Sequence, residues 1–159
     1  MMRTGIGFDA HAFQAGRPLI LGGQEIAHDK GLAGHSDGDV VCHALGDALL
    51  GALALGDLGK HFPNNERWRG AASTEILAQC MLMVRSAGWR LISADVTVIA
   101  EKPLIAPHRD DILDQLEGFL GSPPHIWIKA TTTDGLGFTG RGEGIAAMAV
   151  VLIERPAPD

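Results

Sequence analysis

Residues 3–13 read Arg-Thr-Gly-Ile-Gly-Phe-Asp-Ala-His-Ala-Phe, and their alternating pattern predicts a β-strand. One face of this strand carries the larger apolar side chains and two alanines, at Ile6, Phe8, Ala10 and Ala12. Because successive side chains of a strand point to opposite faces, Gly7, Asp9 and His11 share the other face. The sequence therefore places a carboxylate and an imidazole side by side on one face of a sheet.

The residues after this strand predict a short strand and then a helix. Residues 18–21 predict the strand, closed by Gly22-Gly23, and the polar stretch up to Lys30 predicts a loop or a hairpin. Ser36 precedes Asp37-Gly38-Asp39 and an apolar-periodic run through Leu55. This run predicts a helix with Ser36 as its capping hydroxyl and acidic residues in its first turn.

The rest of the chain continues the alternation of helices and strands. Two helices are predicted, one over residues 73–87 with Gly88 as its stop, and one over residues 107–120 with Pro107 in its first turn and Gly121 as its stop. Apolar, β-rich runs predict strands over residues 91–100, 126–132 and 145–153. Strands interspersed with helices predict a layered α+β fold, a mixed β-sheet with helices packed on one face.

The composition limits the classes of protein to which the chain can belong. Its 159 residues, 46% of them hydrophobic, predict one domain over residues 1–159. The net charge of −6 has the wrong sign for a nucleic-acid-binding protein. No uncharged stretch reaches the ~20 residues of a membrane span, and residues 1–13 lack the apolar core of a targeting sequence. Cys42 and Cys80 show no metal-ligand spacing, so we expect a reducing, cytoplasmic location.

Asp9, His11 and His43 are candidate metal ligands. Two nitrogen donors and one oxygen donor, with no thiolate, match catalytic zinc sites that keep one position open. Taken singly, each residue is also typical of a turn or of a solvent-exposed surface. Asp39 and Asp47 stand at i−4 and i+4 from His43, where a helix would allow either carboxylate to fix its tautomer.

Four polar segments have a structural interpretation, and three of them also have a functional one. His35-Ser36-Asp37-Gly38-Asp39 is typical of a helix start, and a helix N-terminus also accepts phosphate. Asp57 lies in Ala54-Leu55-Gly56-Asp57-Leu58-Gly59-Lys60, where a polar loop residue would follow a glycine C-cap. Thr131-Thr132-Thr133-Asp134 and the glycine-rich residues 137–144 are either flexible loops or a phosphate site with Arg141. Asp134 would then be either a turn residue or a magnesium ligand.

The chain lacks several familiar catalytic patterns. It contains neither a Walker nor a Rossmann glycine motif at a helix start, and it has no Gly-x-Ser-x-Gly elbow. No protein nucleophile or general base is evident.

Several ordered motifs together make the sequence resemble the 2-C-methyl-D-erythritol 2,4-cyclodiphosphate synthase family over essentially the whole chain. These motifs are Gly7-Phe8-Asp9-Ala10-His11, Arg17-Pro18-Leu19-Ile20-Leu21-Gly22-Gly23, His35-Ser36-Asp37-Gly38-Asp39, Ala54-Leu55-Gly56-Asp57-Leu58-Gly59, Lys129-Ala130-Thr131-Thr132-Thr133 and Gly137-Phe138-Thr139-Gly140-Arg141-Gly142-Glu143-Gly144.

The resemblance implies a lyase of non-mevalonate isoprenoid biosynthesis. It would convert 4-diphosphocytidyl-2-C-methyl-D-erythritol 2-phosphate to the cyclic diphosphate and release CMP, in a homotrimer with active sites between subunits. Zinc would bind Asp9, His11 and His43. Magnesium or manganese would accompany the diphosphate at Asp134. His35 and Thr132 would stabilise the transition state.

The resemblance also implies a set of substrate contacts. Asp57, Leu58 and Gly59 would hold the methylerythritol, residues 100–106 of a neighbouring subunit would receive the cytidine, and residues 131–134 would lie near the diphosphate. The full set is Asp9, Ala10, His11, His35, Ser36, Asp57, Leu58, Gly59, Phe62, Pro63, Asn64, Asn65, Glu66, Ala100, Glu101, Lys102, Pro103, Leu104, Ile105, Ala106, Thr131, Thr132, Thr133, Asp134, Phe138 and Arg141.

The sequence departs from the family pattern at two places. Asp134 stands where relatives usually carry Glu, which keeps the charge and shortens the reach by one methylene. Asn64 replaces a common Asp, and the loop over residues 62–66 is one residue shorter than in relatives. Both changes bear on substrate contacts.

The implied reaction explains why no protein nucleophile is evident. The 2-phosphate of the substrate, with a second pKa of about 6, is already anionic at neutral pH and attacks within the same molecule. Two alternatives remain. A zinc phosphohydrolase would attack a nucleotide-linked phosphate with water. An oligomeric binding module for diphosphate lipids would use Arg141 along a trimer axis.

Overall fold

The computed structural model describes residues 1–121 and 125–157, so the end of the Pro-Ala-Pro tail lies outside the described residues. The strands of this part are β1 (Met2–Ala15), β2 (Leu19–Leu21), β3 (Gln24–Ile26), β4 (Lys30–Leu32), β5 (Arg90–Ile99), β6 (His125–Thr131) and β7 (Gly144–Glu154). The helices are α1 (Val40–Ala52), α2 (Leu58–His61), α3 (Ser73–Ser86), α4 (Arg109–Leu120) and α5 (Gly137–Gly140), with 3-10 turns at Glu66–Trp68 and Ala106–His108.

The main sheet has the order β4-β1-β7-β5-β6, and a separate hairpin pairs β2 with β3. Strands β5 and β6 run parallel, whereas β1 is antiparallel to both β4 and β7, and β5 is antiparallel to β7. Helix α1 packs on β1 and β7, α3 packs on α1, and α4 packs on α3 and β6. The predicted mixed sheet with helices on one face is confirmed.

Two glycines of β1 allow α1 to lie directly on the strand. A Cβ atom at Gly7 would lie 1.9 Å from the carbonyl oxygen of Ala44, and one at Gly5 would lie 1.9 Å from that of Ala48. Both contacts are to backbone atoms, which cannot move aside unless the whole helix shifts. The glycines therefore bring the first turns of α1, including His43, close to Asp9 and His11.

The opposite face of β1 is exposed in the single chain. Ile6 and Phe8 are 66% and 53% exposed, and their register partners on β7, Val150 and Met148, are 45% and 40% exposed. Trp127 of β6 is 51% exposed and pairs with Asp95, which in turn pairs with Val150. We call these five apolar side chains the open sheet face; the helices described here pack on the other face.

The predicted start of α1 is wrong. Its N-cap is Asp39, whose carboxylate accepts hydrogen bonds from the backbone N–H groups of Val41 and Cys42. The same carboxylate accepts from Gly22 and Gly23 and is fully buried, so it also ties the β2–β3 turn to the helix. These four donors satisfy Asp39 and leave Ser36, which was the predicted cap, free to contact other groups.

The predicted end of α1 at Leu55 is also wrong, because the helix ends at Ala52. Ala54 has a φ of +57°, in the left-handed region that breaks a right-handed helix. Asp57, which the pattern allowed as a simple loop residue, caps α2 by accepting a hydrogen bond from Lys60 N–H.

The other predicted boundaries differ from the observed ones by at most two residues. Pro107 lies in the 3-10 turn that precedes α4, and Gly121 ends α4 with a φ of +78°. Strand β4 was missed because three residues carry no periodic signal. No helix in the described ranges is long and apolar enough to cross a membrane.

Candidate active site

One ligand atom from each of Asp9, His11 and His43 meets the others at the junction of β1 and α1. Asp9 Oδ2 lies 2.9 Å from His11 Nε2 and 2.9 Å from His43 Nδ1. The two imidazole nitrogens are 3.4 Å apart. Around a tetrahedral zinc ion, with bonds of about 2.0–2.1 Å, ligand atoms are separated by about 3.3 Å. The geometry and the donor types therefore fit a metal ion with one open position.

Hydrogen bonds within this cluster favour the charged form of Asp9. Partial burial acts to raise the pKa of Asp9, but the hydrogen bonds and charges of His11 and His43 outweigh it and lower that pKa well below its ordinary range. For His43, burial acts to lower the pKa, and the hydrogen bond and charge of Asp9 reverse this and raise it. The carboxylate is thus held as an anion, the form that binds a cation.

The two carboxylates predicted to orient His43 form hydrogen bonds elsewhere, so that prediction is wrong. Asp39 caps α1, as described above, and Asp47 Oδ1 accepts from Leu58 N–H at 2.8 Å. The outer nitrogen of His43, Nε2, instead lies 2.9 Å from the hydroxyl of Ser73 and 3.2 Å from that of Ser36. A helix wheel could not reveal these contacts, because both serines come from outside α1.

A cavity of about 280 Å³ opens beside the cluster. Its lining residues are Asp9, His11, His35, Ser36, His43, Asp47, Leu58, Gly59, Phe62, Asn64, Trp68 and Ile76. This volume lies just below the ~300–1,000 Å³ of typical small-molecule sites. Trp68, Ile76 and the lining role of Asp47 were missed by the sequence analysis, which offered no pattern to place them here.

Hydrogen bonds to backbone groups hold the segment around His35 in place. His35 Nε2 donates a hydrogen bond to the carbonyl of Asn65 at 3.0 Å, and Gly70 N–H donates to the carbonyl of His35 at 3.0 Å. Arg17 donates to the carbonyls of Gly34 and Ser36. His35 is therefore held at the rim of the cavity by neighbouring backbone groups.

Two of the five residues in the loop after α2 line the cavity. Phe62 and Asn64 line the cavity, and Trp68 packs edge-on against Phe62 with ring centroids 4.9 Å apart. Pro63, Asn65 and Glu66 do not line it. Glu66 forms an exposed salt bridge with Arg69 instead.

A second group of predicted site residues lies near the edge of the sheet that β6 forms. Thr132 donates its hydroxyl hydrogen to Asp134 Oδ1 at 3.2 Å, and Asp134 has a φ of +53°. Glu101 Oε1 accepts hydrogen bonds from the backbone N–H groups of Thr133, at 3.2 Å, and Gly135. Glu101 thereby ties residues 100–106 to residues 131–134.

The two groups stay apart within one chain. Thr131 lies at the same end of the sheet as His11, but β7 and β5 separate β6 from β1. Three strand spacings of about 4.8 Å give a separation of about 14 Å. None of residues 100–106 or 131–134 lines the cavity. A single chain therefore does not bring Thr132 or Asp134 to the metal cluster.

The glycine-rich segment is ordered by its own contacts. Residues 137–140 form α5, and a Cβ atom at Gly140 would lie 2.2 Å from the backbone carbon of Gly135. Arg141 makes an exposed two-point ion pair with Glu143, at 2.8 and 3.2 Å. This pairing raises the pKa of Arg141 and lowers that of Glu143.

A mixed β-sheet that places a carboxylate and two imidazoles beside a small cavity is typical of proteins that bind a metal ion and a small-molecule ligand. Comparison with known proteins gives the family. The model of the YgbB family matches residues 2–154. The 2-C-methyl-D-erythritol 2,4-cyclodiphosphate synthase of Xanthomonas oryzae pv. oryzae (strain PXO99A) is 52% identical over 157 residues, covering 98% of this chain and 96% of that protein. This chain belongs to the YgbB family, and the predicted resemblance is confirmed.

Solved structures agree with this assignment. A 2C-methyl-D-erythritol-2,4-cyclodiphosphate synthase in a CDP-bound form matches with a TM-score of 0.87 and 38% identity, over 96% of this chain and 100% of that one. The bifunctional IspDF of Campylobacter jejuni matches with a TM-score of 0.93 and 40% identity, over 98% of this chain and 43% of that one. The chain thus spans less than half of that bifunctional polypeptide.

Proposed function

We propose that this chain cyclises 4-diphosphocytidyl-2-C-methyl-D-erythritol 2-phosphate to 2-C-methyl-D-erythritol 2,4-cyclodiphosphate with release of CMP. The observation that carries the proposal is the convergence of Asp9, His11 and His43 beside the cavity, in a chain whose relatives bear the name of that synthase. The reaction places it among the lyases of non-mevalonate isoprenoid biosynthesis.

Asp9, His11 and His43 would hold one zinc ion per chain. Bound there, zinc supplies Lewis-acid polarisation of phosphoryl oxygens. Asp134 would contribute an oxygen ligand to a magnesium or manganese ion that accompanies the diphosphate, the ligand type that such hard cations prefer. Its hydrogen bond from Thr132 keeps the carboxylate oriented while leaving lone pairs for a cation.

The reaction needs no protein base. An oxygen of the 2-phosphate forms a bond to the β-phosphorus, and the bond between that phosphorus and the bridging oxygen breaks, its electron pair leaving with CMP. The 2-phosphate is anionic at neutral pH, so the protein supplies orientation and hydrogen-bond donors. Orientation of an intramolecular attack is worth roughly 7–11 kcal/mol. His35 and Thr132 would stabilise the developing charge after their hydrogens, which go to the Asn65 carbonyl and to Asp134 in the single chain, turn to the phosphoryl oxygens.

The active site would lie between subunits of a homotrimer. The open sheet face presents five large apolar side chains, a surface typical of a protein–protein interface. A second copy packed on this face would bring its residues 131–134 towards the metal cluster of the first. This arrangement would account for a cavity that is lined by only eight of the 26 residues expected to contact the substrate.

The substrate would be divided between the two halves. Residues 57–59 lie at the start of α2, where Leu58 and Gly59 line the cavity and suit the methylerythritol. Residues 100–106 of the neighbouring subunit would take the cytidine. The solved synthase with bound CDP supports recognition of a cytidine diphosphate within this family.

Arg141 would bind a diphosphate group on the trimer axis. Its guanidinium is exposed and already pairs with a carboxylate, so a diphosphate would exchange places with Glu143. An Arg141→Ala variant should lose measurable binding of farnesyl diphosphate, and equal binding by the variant and its parent would contradict the site.

The two buried, free thiols support the cytoplasm as the proposed location.

CMP release in ¹⁸O-labelled water tests the proposed reaction. Purified protein loaded with zinc and magnesium should release one CMP per cyclic diphosphate formed, with no ¹⁸O in either product, because no water enters the ring closure. A zinc phosphohydrolase would place the label in a phosphate product. Release of labelled phosphate without a cyclic product would contradict the cyclisation.

A further inference from the structure

Ser73 joins His43 to Asp37 in a chain of hydrogen bonds behind the metal cluster. The Ser73 hydroxyl donates its hydrogen to Asp37 Oδ1, and the same oxygen of Ser73 lies 2.9 Å from His43 Nε2. Ser73 is fully buried at the first residue of α3. The metal cluster therefore has a polar support that comes from a different helix.

The direction of these hydrogen bonds follows from the hydrogens available. A carboxylate accepts hydrogen bonds and donates none, so the single hydroxyl hydrogen of Ser73 goes to Asp37. Ser73 can then offer only a lone pair to His43, so the 2.9 Å contact between them, which is shorter than the 3.2 Å contact with Ser36, requires a hydrogen on His43 Nε2. In a neutral imidazole the other nitrogen, Nδ1, is left with its lone pair, and Nδ1 is the atom that faces Asp9 and His11.

Two backbone N–H groups fix the orientation of the Asp37 carboxylate. Its Oδ2 accepts from Ser73 N–H at 3.0 Å, and its Oδ1 accepts from Asp39 N–H at 3.2 Å. The N-cap residue of α3, Ala72, has no side chain that can accept a hydrogen bond. Asp37, which lies outside α3, instead accepts the N–H of the first residue of that helix. Because both oxygens receive N–H donors, an amide at this position would turn its NH₂ group towards one of those donors in either orientation.

We propose that Ser73 and Asp37 are positioning residues for the metal site: together they hold His43 in the Nε2–H tautomer, with Nδ1 free to coordinate. This inference rests on the metal site proposed above. It also links the two sides of the cavity, because Asp37 belongs to the same segment as His35. A shift of α3 would thus change both His43 and the segment that carries His35, which lines the cavity.

Zinc affinity, measured by competition with a chromogenic chelator, tests the role of Ser73. We expect Ser73→Ala to weaken zinc binding about 10–100-fold, the usual effect of removing such a support. Ser86→Ala is the matched control, because Ser86 is exposed at the opposite end of the same helix, and its zinc affinity should equal that of the parent. Equal zinc affinity of Ser73→Ala and the parent would overturn the proposal.

A double variant tests whether Asp37 acts through Ser73. We expect Asp37→Asn to weaken zinc binding as well, and the double variant to bind zinc no more weakly than Ser73→Ala alone. Fully additive losses of zinc affinity would mean that the two residues act independently. This result would contradict the proposal that Asp37 acts through Ser73.

Nuclear magnetic resonance of the parent protein with ¹⁵N-labelled histidine gives a readout that needs no variant. In the zinc-loaded protein the His43 Nε2–H proton should be visible and protected from exchange with water, and Ser73→Ala should remove that protection. A freely exchanging Nε2–H in the parent would overturn the proposal even if the variants fail to fold. If the parent binds no zinc at all, the metal site of the proposed function fails first, and the chelator titration of the parent shows this separately.

Discussion

The two faces of β1 differ in what the single chain provides for them. On one face, Gly5 and Gly7 let α1 approach so closely that His43 meets Asp9 and His11. On the other face, Ile6 and Phe8 remain exposed. One chain therefore brings the three candidate metal ligands together by its own packing. In the proposed homotrimer, a second copy would cover the open sheet face and supply residues 131–134. The difference teaches that packing within one chain is enough to gather the candidate metal ligands, whereas the remaining expected contacts would depend on the proposed assembly.

Substitution of Gly7 should have the largest effect, because it breaks the covered face. We expect Gly7→Ala to destabilise the protein by about 3 kcal/mol and to abolish zinc binding, since the added Cβ meets the backbone of α1. Thermal unfolding and metal analysis measure both effects. The matched control is Gly51→Ala on the exposed side of α1, where the nearest atom to a Cβ is 3.9 Å away. A Gly7→Ala protein with parental stability would contradict the close packing.

A charge on the open sheet face should separate the two halves without damaging either one. We expect Ile6→Glu to yield monomers by light scattering and to lower turnover about 100-fold, because a charge buried in an interface is costly. Zinc content per chain should stay the same. Leu82→Glu provides the control, since Leu82 is 54% exposed on α3 and away from this face. Parental turnover by a monomeric Ile6→Glu protein would show that one chain suffices.

Restoring the longer acid at position 134 should have the smallest effect. We expect Asp134→Glu to leave turnover similar or to raise it severalfold, because the charge is kept and the carboxylate gains one methylene of reach towards the proposed magnesium ion. Steady-state CMP release over a range of magnesium concentrations measures this. A large loss of turnover would mean that the surrounding pocket has adapted to the shorter Asp134.

The sequence predicted the elements whose signal is local. Alternation in residues 3–13 predicted β1, and a run of apolar residues predicted α1, so the two carriers of the metal ligands followed from periodicity. The start of α1 was misplaced because Asp39 is fixed by Gly22 and Gly23, which are distant in sequence.

The parts of the site that sequence could not predict depend on tertiary contacts. Ser73 reaches His43 from another helix, and Trp68 reaches the cavity through a 3-10 turn that has no periodic pattern. The resemblance to a family named the residues expected at the site, but only the sheet order shows why Thr132 and Asp9 lie apart in one chain. Local patterns therefore predict which residues are available, and packing decides which of them meet.

Complementation between two inactive variants tests most directly whether the site is shared between subunits. His43→Ala lacks a proposed metal ligand and Thr132→Ala lacks the hydroxyl that the neighbouring copy would supply, so each variant alone should be inactive. When the two variants are co-expressed and assemble randomly, about one quarter of the sites should combine an intact His43 with an intact Thr132. A mixture of His43→Ala with Asp9→Ala serves as the control and should stay inactive, because both changes damage the same half. Recovery of about a quarter of parental CMP release is the expected result, and a mixture as inactive as either variant alone would contradict a site built from two copies.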